Sequence, residues 1–388
     1  MHTLFKYIRK YCHETIDERP LGPEDSVVLT ALSYLVFENV MNYTDVYSLQ
    51  ELDPVYDELA KGSVLPPLIH ETLELCLASR RFKDIVVEKP YFIADLKAEC
   101  SISAVTFRFS KNLIVVAFRG TDLSLLAWKE DLILGYNDTI TGHIEATNYL
   151  TDVITANPGN LVYVCGHSKG GNLSAYSTCK IDPELSKQIV NVFDLDGPGF
   201  RNNFFNEPDF IRMEEKFIRL LPHDDLVGQL LNHNPDYRVV KSYRLLKVAQ
   251  HAQFIWKFKN GRLAYANDVS AFTKRFSWYL RRLMEATPHN EIRVLIEDGF
   301  KIFEDAGIVY LTDFFKLNGR KRKKLSEGYW KLPAEKLVIL KHILYQFAKV
   351  YLLAEFDIFF FFKNSASFRR RRFVRQQKKI IENQEKQK

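Results

Sequence analysis

The chain has 388 residues, of which 46% are hydrophobic and 26% are charged. This composition is ordinary for a globular protein, and it excludes disordered and low-complexity classes. The formal net charge is +6, but residues 363–388 hold ten basic and two acidic side chains, so the rest of the chain is slightly acidic. A basic tail of this kind attracts anionic lipid headgroups or nucleic acid, or it is a solvated helix end. Of the two partners, we expect an anionic membrane surface and not nucleic acid.

The cysteines and the N-terminus indicate the compartment. Five cysteines are scattered through the chain without any C-x-x-C pair: Cys12, Cys76, Cys100, Cys165 and Cys179. Neither a zinc site nor a disulfide framework is predicted from this spacing, and we expect no metal or cofactor. The first twenty residues lack the apolar segment of a signal peptide. We therefore expect a cytoplasmic protein, either free or held at the inner face of the membrane.

The first third of the chain predicts helices followed by strands. Apolar residues at helical spacing predict a helix over 25–41, with Asp25 as its N-cap, and a second helix over 68–81. Short β-branched or aromatic segments predict strands at 84–88, 103–109 and 113–118. The polar residues 110–112 join the last two strands as a hairpin.

The pattern then changes to alternating helices and strands. A helix at 143–156 precedes a strand that begins at Leu161, a helix that ends at Lys180, and strands at 189–195 and 217–221. Such alternation is typical of a mostly parallel sheet with helices on both faces, which binds ligands at the carboxyl ends of its strands. A further strand is predicted at 239–243, and a hairpin follows on the Asn260-Gly261 turn.

Residues 161–175, LVYVCGHSKGGNLSA, carry the strongest catalytic signal. A short apolar strand meets Gly-His-Ser-Lys-Gly-Gly and passes directly into a helical segment, which is the context of a nucleophile elbow. Ser168 is then the candidate nucleophile. Gly166 and Gly170 suit a strained turn in which a Cβ would collide with neighbouring backbone. The amide of Lys169 is the first candidate donor for an oxyanion hole.

A nucleophilic serine needs a histidine base and a carboxylate that orients the imidazole. The downstream histidines are His233, His251 and His289, and His251 has the best position because it follows the last strand of the predicted parallel series. The candidate acids are Asp224 and Asp225 after the strand at 217–221. Asp194 and Asp196, on the preceding strand, are the alternatives to them.

Four segments together resemble the class 3 lipase-like α/β-hydrolases. FRGTDLSLLAWKEDL (118–132) is similar to their R-G-[ST]…W-x-x-D segment and GHSKGG (166–171) to their elbow. DDLV (224–227) resembles their D-x-V element and HAQFIW (251–256) their histidine segment. The whole chain is most similar to an uncharacterised, bacterial, cytosolic branch of that superfamily.

This resemblance implies an α/β-hydrolase fold, with a mostly parallel central sheet flanked by helices and a helical C-terminal extension. It assigns Ser168 as the nucleophile, Asp225 as the acid and His251 as the base. The backbone amides of Thr121 and Lys169 would form the oxyanion hole. Three further residues of the first segment are expected to be scaffold: Arg119, Trp128 and Asp131.

The chain departs from the family pattern at two positions. Gly228 follows the D-x-V element where secreted lipases usually have proline, which weakens the choice of Asp225 over Asp224. Lys169 replaces an apolar residue. Its ammonium group either attracts anionic substrates or points to solvent, and we expect it to point to solvent. The aromatic-rich segment 197–216 is interpreted as a small lid over the site, or alternatively as a surface loop whose aromatic rings fill a groove.

After residue 275 the chain becomes helical. Helices are predicted at 276–286, 292–306 and 334–362, with a basic loop at 319–324. The organisation expected is a hydrolase domain (1–275), a helical region (276–362) and a basic tail (363–388). The last helix is apolar but is interrupted by charged side chains, so we expect it not to span a membrane. It is either a buried or partner-facing helix, or an interfacial helix on a membrane surface.

The function expected from the sequence is that of a serine hydrolase acting on small-molecule or lipid esters through an acyl-enzyme on Ser168. A hydrolase-fold scaffold or membrane-surface binding protein with little turnover is the alternative. An intact triad of serine, acid and histidine favours the enzyme. The oligomeric state is left open by the sequence.

Overall fold

The computed structural model describes residues 3–234, 236–243 and 247–356, without the side chain of Val248. The strands are β1 (Val46–Ser48), β2 (Val86–Asp95), β3 (Cys100–Ser110), β4 (Leu113–Phe118), β5 (Leu161–His167), β6 (Ile189–Leu195), β7 (Phe217–Pro222), β8 (Arg238–Val240), β9 (Phe258–Lys259), β10 (Arg262–Leu263) and β11 (Tyr265–Ala266). The basic tail and the predicted end of the last helix lie outside the described residues.

Nine strands form one sheet in the order β1-β2-β3-β4-β5-β6-β7-β8-β11. The first four strands pair antiparallel, and the five central strands β4 to β8 run parallel to one another. β11 closes the far edge antiparallel to β8, and β9 and β10 form a separate hairpin. The parallel strands thus end at one common edge, which is where sheets of this kind bind their ligands.

The helices begin with α1 (Thr3–Tyr11), α2 (Pro23–Leu32), α3 (Leu49–Leu52), α4 (Tyr56–Ala60), α5 (Pro66–Leu77), α6 (Leu125–Ile133) and α7 (Thr141–Ala156). They continue with α8 (Lys169–Lys180), α9 (Pro183–Ser186), α10 (Pro208–Met213), α11 (Ala271–Ala286), α12 (His289–Asp305), α13 (Gly319–Lys331) and α14 (Ala334–Phe356).

The sheet is covered on both faces because its central strands are apolar on both sides. In β5, Tyr163 and Cys165 join the core beneath α1, α2 and α5, whereas Val162 and Val164 join the core beneath α7 and α8. This division follows the period of two in a strand, which sends successive side chains to opposite faces. A third core joins α6 to α12 and thereby attaches the helical region to the sheet.

Most predicted elements are present, and the differences have local causes. The helix predicted over 25–41 ends at Leu32, and Asp25 lies inside it, where its carboxylate accepts from Gly22 N–H at 2.9 Å. Residues 319–324, predicted as a basic loop, belong to α13, because exposed lysines and arginines are good helix formers. The helix predicted from 276 begins at Ala271, so it crosses the predicted domain boundary.

Helix α14 is 23 residues long and, by length and composition alone, could cross a membrane. The expectation that this helix does not span a membrane stays a prediction, and it rests on the charged and polar residues Lys341, His342, Lys349, Glu355 and Asp357 in the sequence. In the structure one edge of α14 packs against α11 and α12 through Leu340, Ile343 and other buried side chains. Only 22% of its most apolar part is buried in this way.

Candidate active site

Ser168 occupies the turn between β5 and α8. Its backbone has φ 59° and ψ −131°, a conformation that non-glycine residues rarely adopt and that typically stores about 1–3 kcal/mol. A Cβ at Gly166 would lie 2.0 Å from the Gly170 carbonyl oxygen, and a Cβ at Gly170 would lie 2.1 Å from the Phe118 carbonyl oxygen. The two glycines are therefore required by close backbone approach, as predicted for a nucleophile elbow.

The loop after β4 lies directly beside this turn. A Cβ at Gly120 would be 3.1 Å from the Cβ of Ser168 and 2.6 Å from the carbonyl oxygen of His167. Thr121 follows Gly120, and its hydroxyl donates to the Asp131 carboxylate. Lys169 is the first residue of α8, so its amide has no acceptor within that helix. The two predicted oxyanion donors, the amides of Thr121 and Lys169, thus belong to the two segments that flank Ser168.

The imidazole of His251 is held by a carboxylate at the carboxyl edge of the sheet. Nδ1 of His251 lies 2.6 Å from Oδ2 of Asp196, which is fully buried just beyond β6. The ring also stacks on His167, the residue before Ser168, at 4.6 Å between centroids. Although 23% of the His251 side chain is exposed, burial of the rest lowers its pKa to about 4. The imidazole is then neutral at pH 7 and able to accept a proton.

The carboxylate beside His251 is therefore not the one predicted. Asp225, the acid implied by the family resemblance, lies behind Asp196, and the same amide of Gly228 donates to both, at 2.9 Å and 3.1 Å. The cause is the strand order, since β6 is next to β5 and its end lies closer to Ser168 than the end of β7 does. Asp196, on the preceding strand, was one of the alternatives in the sequence.

Two buried carboxyl groups converge on the Gly228 amide. Burial, followed by the charge of Asp196, raises the pKa of Asp225 well above its ordinary value. Burial also raises the pKa of Asp196, to about 7, and the hydrogen bond with Asp225 opposes that rise. Oδ2 of Asp225 is buried and accepts no hydrogen bond. A proton on Asp225 that is hydrogen-bonded to Asp196 accounts for both observations, and this hydrogen bond favours the ionised form of Asp196 beside His251.

Replacing Asp225 with asparagine should change how stability depends on pH. The folded chain keeps the Asp225 proton at pH values where the unfolded chain has released it, so the free energy of unfolding falls as pH rises. One such proton accounts for up to about 1.4 kcal/mol per pH unit above the unfolded pKa. In urea unfolding between pH 5 and pH 8, Asp225→Asn should gain stability relative to the natural protein as pH rises. A difference that does not vary with pH would contradict a protonated Asp225.

Asp224 and the other histidines have different partners. Gln250, which precedes His251, donates from Nε2 to Asp224 Oδ2 at 2.8 Å and accepts from the Asp224 amide at 3.2 Å. Asp224 therefore orients the backbone next to His251 rather than the imidazole. His233 contacts the Leu231 carbonyl, and His289 contacts Arg201 at the start of α12, so neither is paired with Asp196.

A hydrogen-bonded chain fixes the elbow to the histidine segment. Tyr34 Oη lies 2.8 Å from His167 Nδ1, and His167 Nε2 lies 2.8 Å from the carbonyl oxygen of His251. Because a carbonyl oxygen only accepts hydrogen bonds, Nε2 of His167 is the donor to it. Nδ1 of His167 then accepts a hydrogen bond from the Tyr34 hydroxyl. Burial lowers the pKa of His167 to about 3, so this ring stays neutral. Tyr34 is a positioning residue that the sequence did not reveal, because it lies 134 positions before Ser168.

The Lys169 side chain is buried, which corrects the expectation that it points to solvent. Its ammonium donates to the Ser101 carbonyl at 2.7 Å and to Glu130 at 2.9 Å, and it lies 3.5 Å from Asp131. Burial lowers the pKa of Lys169, but the charges of Asp131 and Glu130 outweigh that effect and leave the pKa raised. Burial raises the pKa of Asp131 to about 6. The lysine therefore joins α8 to α6 and, through Asp131, to the Thr121 loop.

The remaining predicted scaffold residues lie around this cluster. Arg119 is buried and pairs with Glu38 at 2.7 Å rather than with Asp131. Trp128 is 42% exposed, and its indole donates to the Asp122 carbonyl at 3.1 Å. These contacts fit the expectation that Arg119, Trp128 and Asp131 are scaffold residues, since each of them holds the loop that follows β4 in place.

Lys169→Met should destabilise the fold, because it leaves Glu130 buried without its cationic partner. Removing one member of a buried pair typically costs about 3–5 kcal/mol. The free energy of unfolding in urea measures this loss. The double variant Lys169→Met with Glu130→Gln should recover part of it, because the uncompensated charge is removed as well. A single variant as stable as the natural protein would contradict this assignment.

The segment proposed as a lid is packed into the core. Phe200, Phe204 and Phe210 are each 1% exposed, and the rings of Phe200 and Phe204 stack at 3.9 Å. Tyr176 of α8 extends the stack towards His143. Of the two interpretations of residues 197–216, the burial of these rings supports the groove-filling loop.

A cavity of about 270 Å³ lies away from this site. Its lining includes Tyr43, Arg108 and Asn157, at the end of the sheet where β4 and β5 begin. Ser168 lies at the opposite ends of these strands, so the cavity is not the binding site for a substrate of Ser168. Among the described residues no group of three or more His, Cys, Asp or Glu side chains could hold a metal ion. The five cysteines are buried free thiols.

Proteins similar to this chain are found among family models and solved structures. No curated protein sequence matches the chain. Solved structures similar to it include the M37 lipase (15% identity, TM-score 0.38, covering 62% of this chain and 84% of that one). A mutant form of MDLA from Penicillium cyclopium is 14% identical, with a TM-score of 0.36, and the match covers 62% of this chain and 82% of that one. Lipase II from Rhizopus niveus is 19% identical, with a TM-score of 0.30, and the match covers 51% of this chain and 83% of that one.

The family model described as Mbeg1-like matches residues 76–301, which is more than half of the chain. The match includes the elbow, the two carboxyl groups, the histidine segment and the parallel part of the sheet. The chain belongs to the Mbeg1-like family. Its mostly parallel sheet, covered by helices and carrying a strained serine at the turn between β5 and α8, has the α/β-hydrolase fold.

Proposed function

We propose that this protein is a serine hydrolase that cleaves carboxylic esters, including lipid acyl esters, through an acyl-enzyme on Ser168. The observations that carry the proposal are a strained Ser168 at a strand-to-helix turn and a His251 imidazole that stacks on the neighbouring His167 and has its Nδ1 2.6 Å from buried Asp196. Strain of this kind is kept where the surrounding structure enforces it, which is typical of catalytic serines.

The first half of the reaction forms the acyl-enzyme. Oγ of Ser168 attacks the ester carbonyl carbon, and its proton passes to Nε2 of His251 as the new C–O bond forms. The amides of Thr121 and Lys169 hold the negative oxygen of the tetrahedral intermediate. The intermediate then collapses, the bond to the leaving alkoxide breaks, and the proton on His251 moves to that oxygen to release the alcohol.

The second half of the reaction regenerates the serine. Water gives a proton to His251 and attacks the acyl carbon, and the second intermediate breaks its bond to Ser168, which recovers its proton. The carboxylate of Asp196 stabilises the imidazolium, and the hydrogen bond from Asp225 favours the ionised form of that carboxylate. Asp225 stays protonated and donates a hydrogen bond to Asp196. It is therefore a positioning residue rather than the acid that contacts His251.

Covalent trapping tests the proposed pathway. Mixed with a p-nitrophenyl ester, the protein should release a rapid burst of p-nitrophenol close to one equivalent per active site, followed by slower turnover. Mass spectrometry after acid quench should find the acyl group on the peptide that contains Ser168. Turnover without any acylated peptide would argue for direct attack by water and against this mechanism.

A binding protein with little turnover is the second candidate, and the exposed apolar surface of α14 is the observation that favours it. The two candidates differ in one measurement, because only the enzyme acylates Ser168. Folded protein that forms no adduct with esters from acetyl to long-chain acyl groups would favour the binding role.

A further inference from the structure

Helix α14 presents an apolar surface to solvent. Seven large hydrophobic side chains are exposed along it: Val338, Leu344, Tyr345, Phe347, Tyr351, Leu352 and Phe356. Single exposed apolar residues are common on soluble proteins, but a contiguous apolar surface marks an interaction site. These side chains are spread over more than four helical turns, from Val338 to Phe356.

The helical spacing divides α14 into an inner edge and an outer stripe. The inner edge is buried and contains Leu340, Ile343, Val350 and Ala354. The outer stripe is defined by Val338, Tyr345, Leu352 and Phe356, which follow one another by seven, seven and four residues and so share one line on the opposite side. Three of the four are more than 60% exposed, at 67%, 64% and 71%, and Leu352 is 56% exposed.

Cationic groups border the outer stripe. Lys349 and His342 lie on one side of it and Lys341 on the other, and all three are exposed. The inner edge is fixed to the body of the protein, where Lys336 pairs with Asp298 at 2.8 Å and Lys247 pairs with Glu355. A helix anchored along one edge, with apolar and basic groups on the other, is suited to lie in the plane of a membrane surface.

The sequence beyond α14 has the same chemistry. Residues 359–362 are four consecutive phenylalanines, and residues 369–372 are four consecutive arginines within the basic tail. Phenylalanine side chains are buried at the boundary between headgroups and acyl chains, and each basic residue adds attraction to anionic lipid. A second copy of the chain would bring two basic tails together against their mutual repulsion. The charges therefore favour an anionic bilayer over self-association.

We infer that the outer stripe of α14 docks this protein onto anionic phospholipid bilayers. The docked helix would lie close to the proposed catalytic machinery. Lys247 begins the helical turn that ends at His251, its ammonium lies 3.6 Å above the ring of Phe272 in α11, and Tyr351 packs edge-on to the same ring at 5.5 Å. Docking is independent of turnover, so its test does not depend on the proposed function.

Co-sedimentation of the full-length protein with lipid vesicles tests the inference. The protein should bind vesicles that contain phosphatidylglycerol and phosphatidylcholine, bind pure phosphatidylcholine much more weakly, and release as salt rises. Tyr345→Glu combined with Leu352→Glu should weaken binding to the anionic vesicles on the order of 10²-fold.

The matched control places the same charge change on two exposed apolar residues elsewhere. Ile211→Glu combined with Phe315→Glu alters side chains that are 59% and 91% exposed, and it should bind vesicles nearly as well as the natural protein. Both double variants should keep the thermal unfolding temperature of the natural protein. Equal vesicle binding by the two double variants would overturn the inference. A second result would also overturn it: the natural protein is a dimer that does not bind vesicles, and the α14 double variant is a monomer.

Discussion

Ser168→Ala is expected to reduce kcat for ester hydrolysis on the order of 10⁶-fold, and His251→Ala should be comparably damaging. The serine forms the covalent bond and the histidine carries its proton, so loss of either removes the acyl-enzyme pathway. Residual turnover should stay above the uncatalysed rate, because both variants keep the two amides of the proposed oxyanion hole.

The double variant Ser168→Ala with His251→Ala should be little worse than either single variant, because the two residues act as a unit. Steady-state kinetics with a soluble p-nitrophenyl ester measures all three variants. Circular dichroism and thermal unfolding serve as the control for folding. Losses that multiply in the double variant would mean that the two side chains do not share one step, and this would contradict the proposed mechanism.

Asp196→Asn is expected to lower kcat about 10⁴-fold while the protein stays folded. An asparagine amide placed against Nδ1 of His251 offers an N–H group where the imidazole also has one, so the ring turns or takes the wrong tautomer. Its Nε2 is then no longer free to accept the serine proton. The effect should fall mainly on kcat, because Asp196 is buried and contacts His251 rather than the substrate.

Asp225→Asn is the matched control for this variant. It also removes one buried carboxyl group beside the Gly228 amide, but its own amide can still donate to Asp196 as the protonated carboxyl does. We expect kcat to change by only a few-fold. The reverse order, with Asp225→Asn the more damaging, would restore Asp225 as the acid and contradict the roles assigned from the structure.

The local parts of the site were predictable from sequence. The elbow follows from a short run with two required glycines, since a Cβ added at Gly166 or Gly170 would lie 2.0 Å or 2.1 Å from a backbone carbonyl oxygen. Segment order brings His251 to the same edge of the sheet, since the carboxyl ends of parallel strands converge. These inferences use only neighbouring residues and the direction of the strands.

The parts that depend on side-chain packing were not predictable. Asp196 and Asp225 both follow parallel strands and both accept from the Gly228 amide, so only the strand order decides which one contacts His251. Lys169 is charged and was expected in solvent. In the structure it is buried because it pairs with Glu130 and Asp131 of α6, which lie 39 and 38 positions earlier in the sequence. The phenylalanines of residues 197–216 resemble an exposed lid in sequence, but the groove beside α8 accommodates them.

Labelling with a fluorophosphonate probe tests most directly whether this protein is a serine hydrolase. The phosphorus centre becomes tetrahedral when Ser168 attacks it, and its oxygen then lies where an acyl oxyanion would be held. We predict one labelled peptide, containing Ser168, with labelling absent in Ser168→Ala and strongly reduced in both His251→Ala and Asp196→Asn. Folded protein that takes up no probe, or a label that persists in Ser168→Ala, would contradict the account.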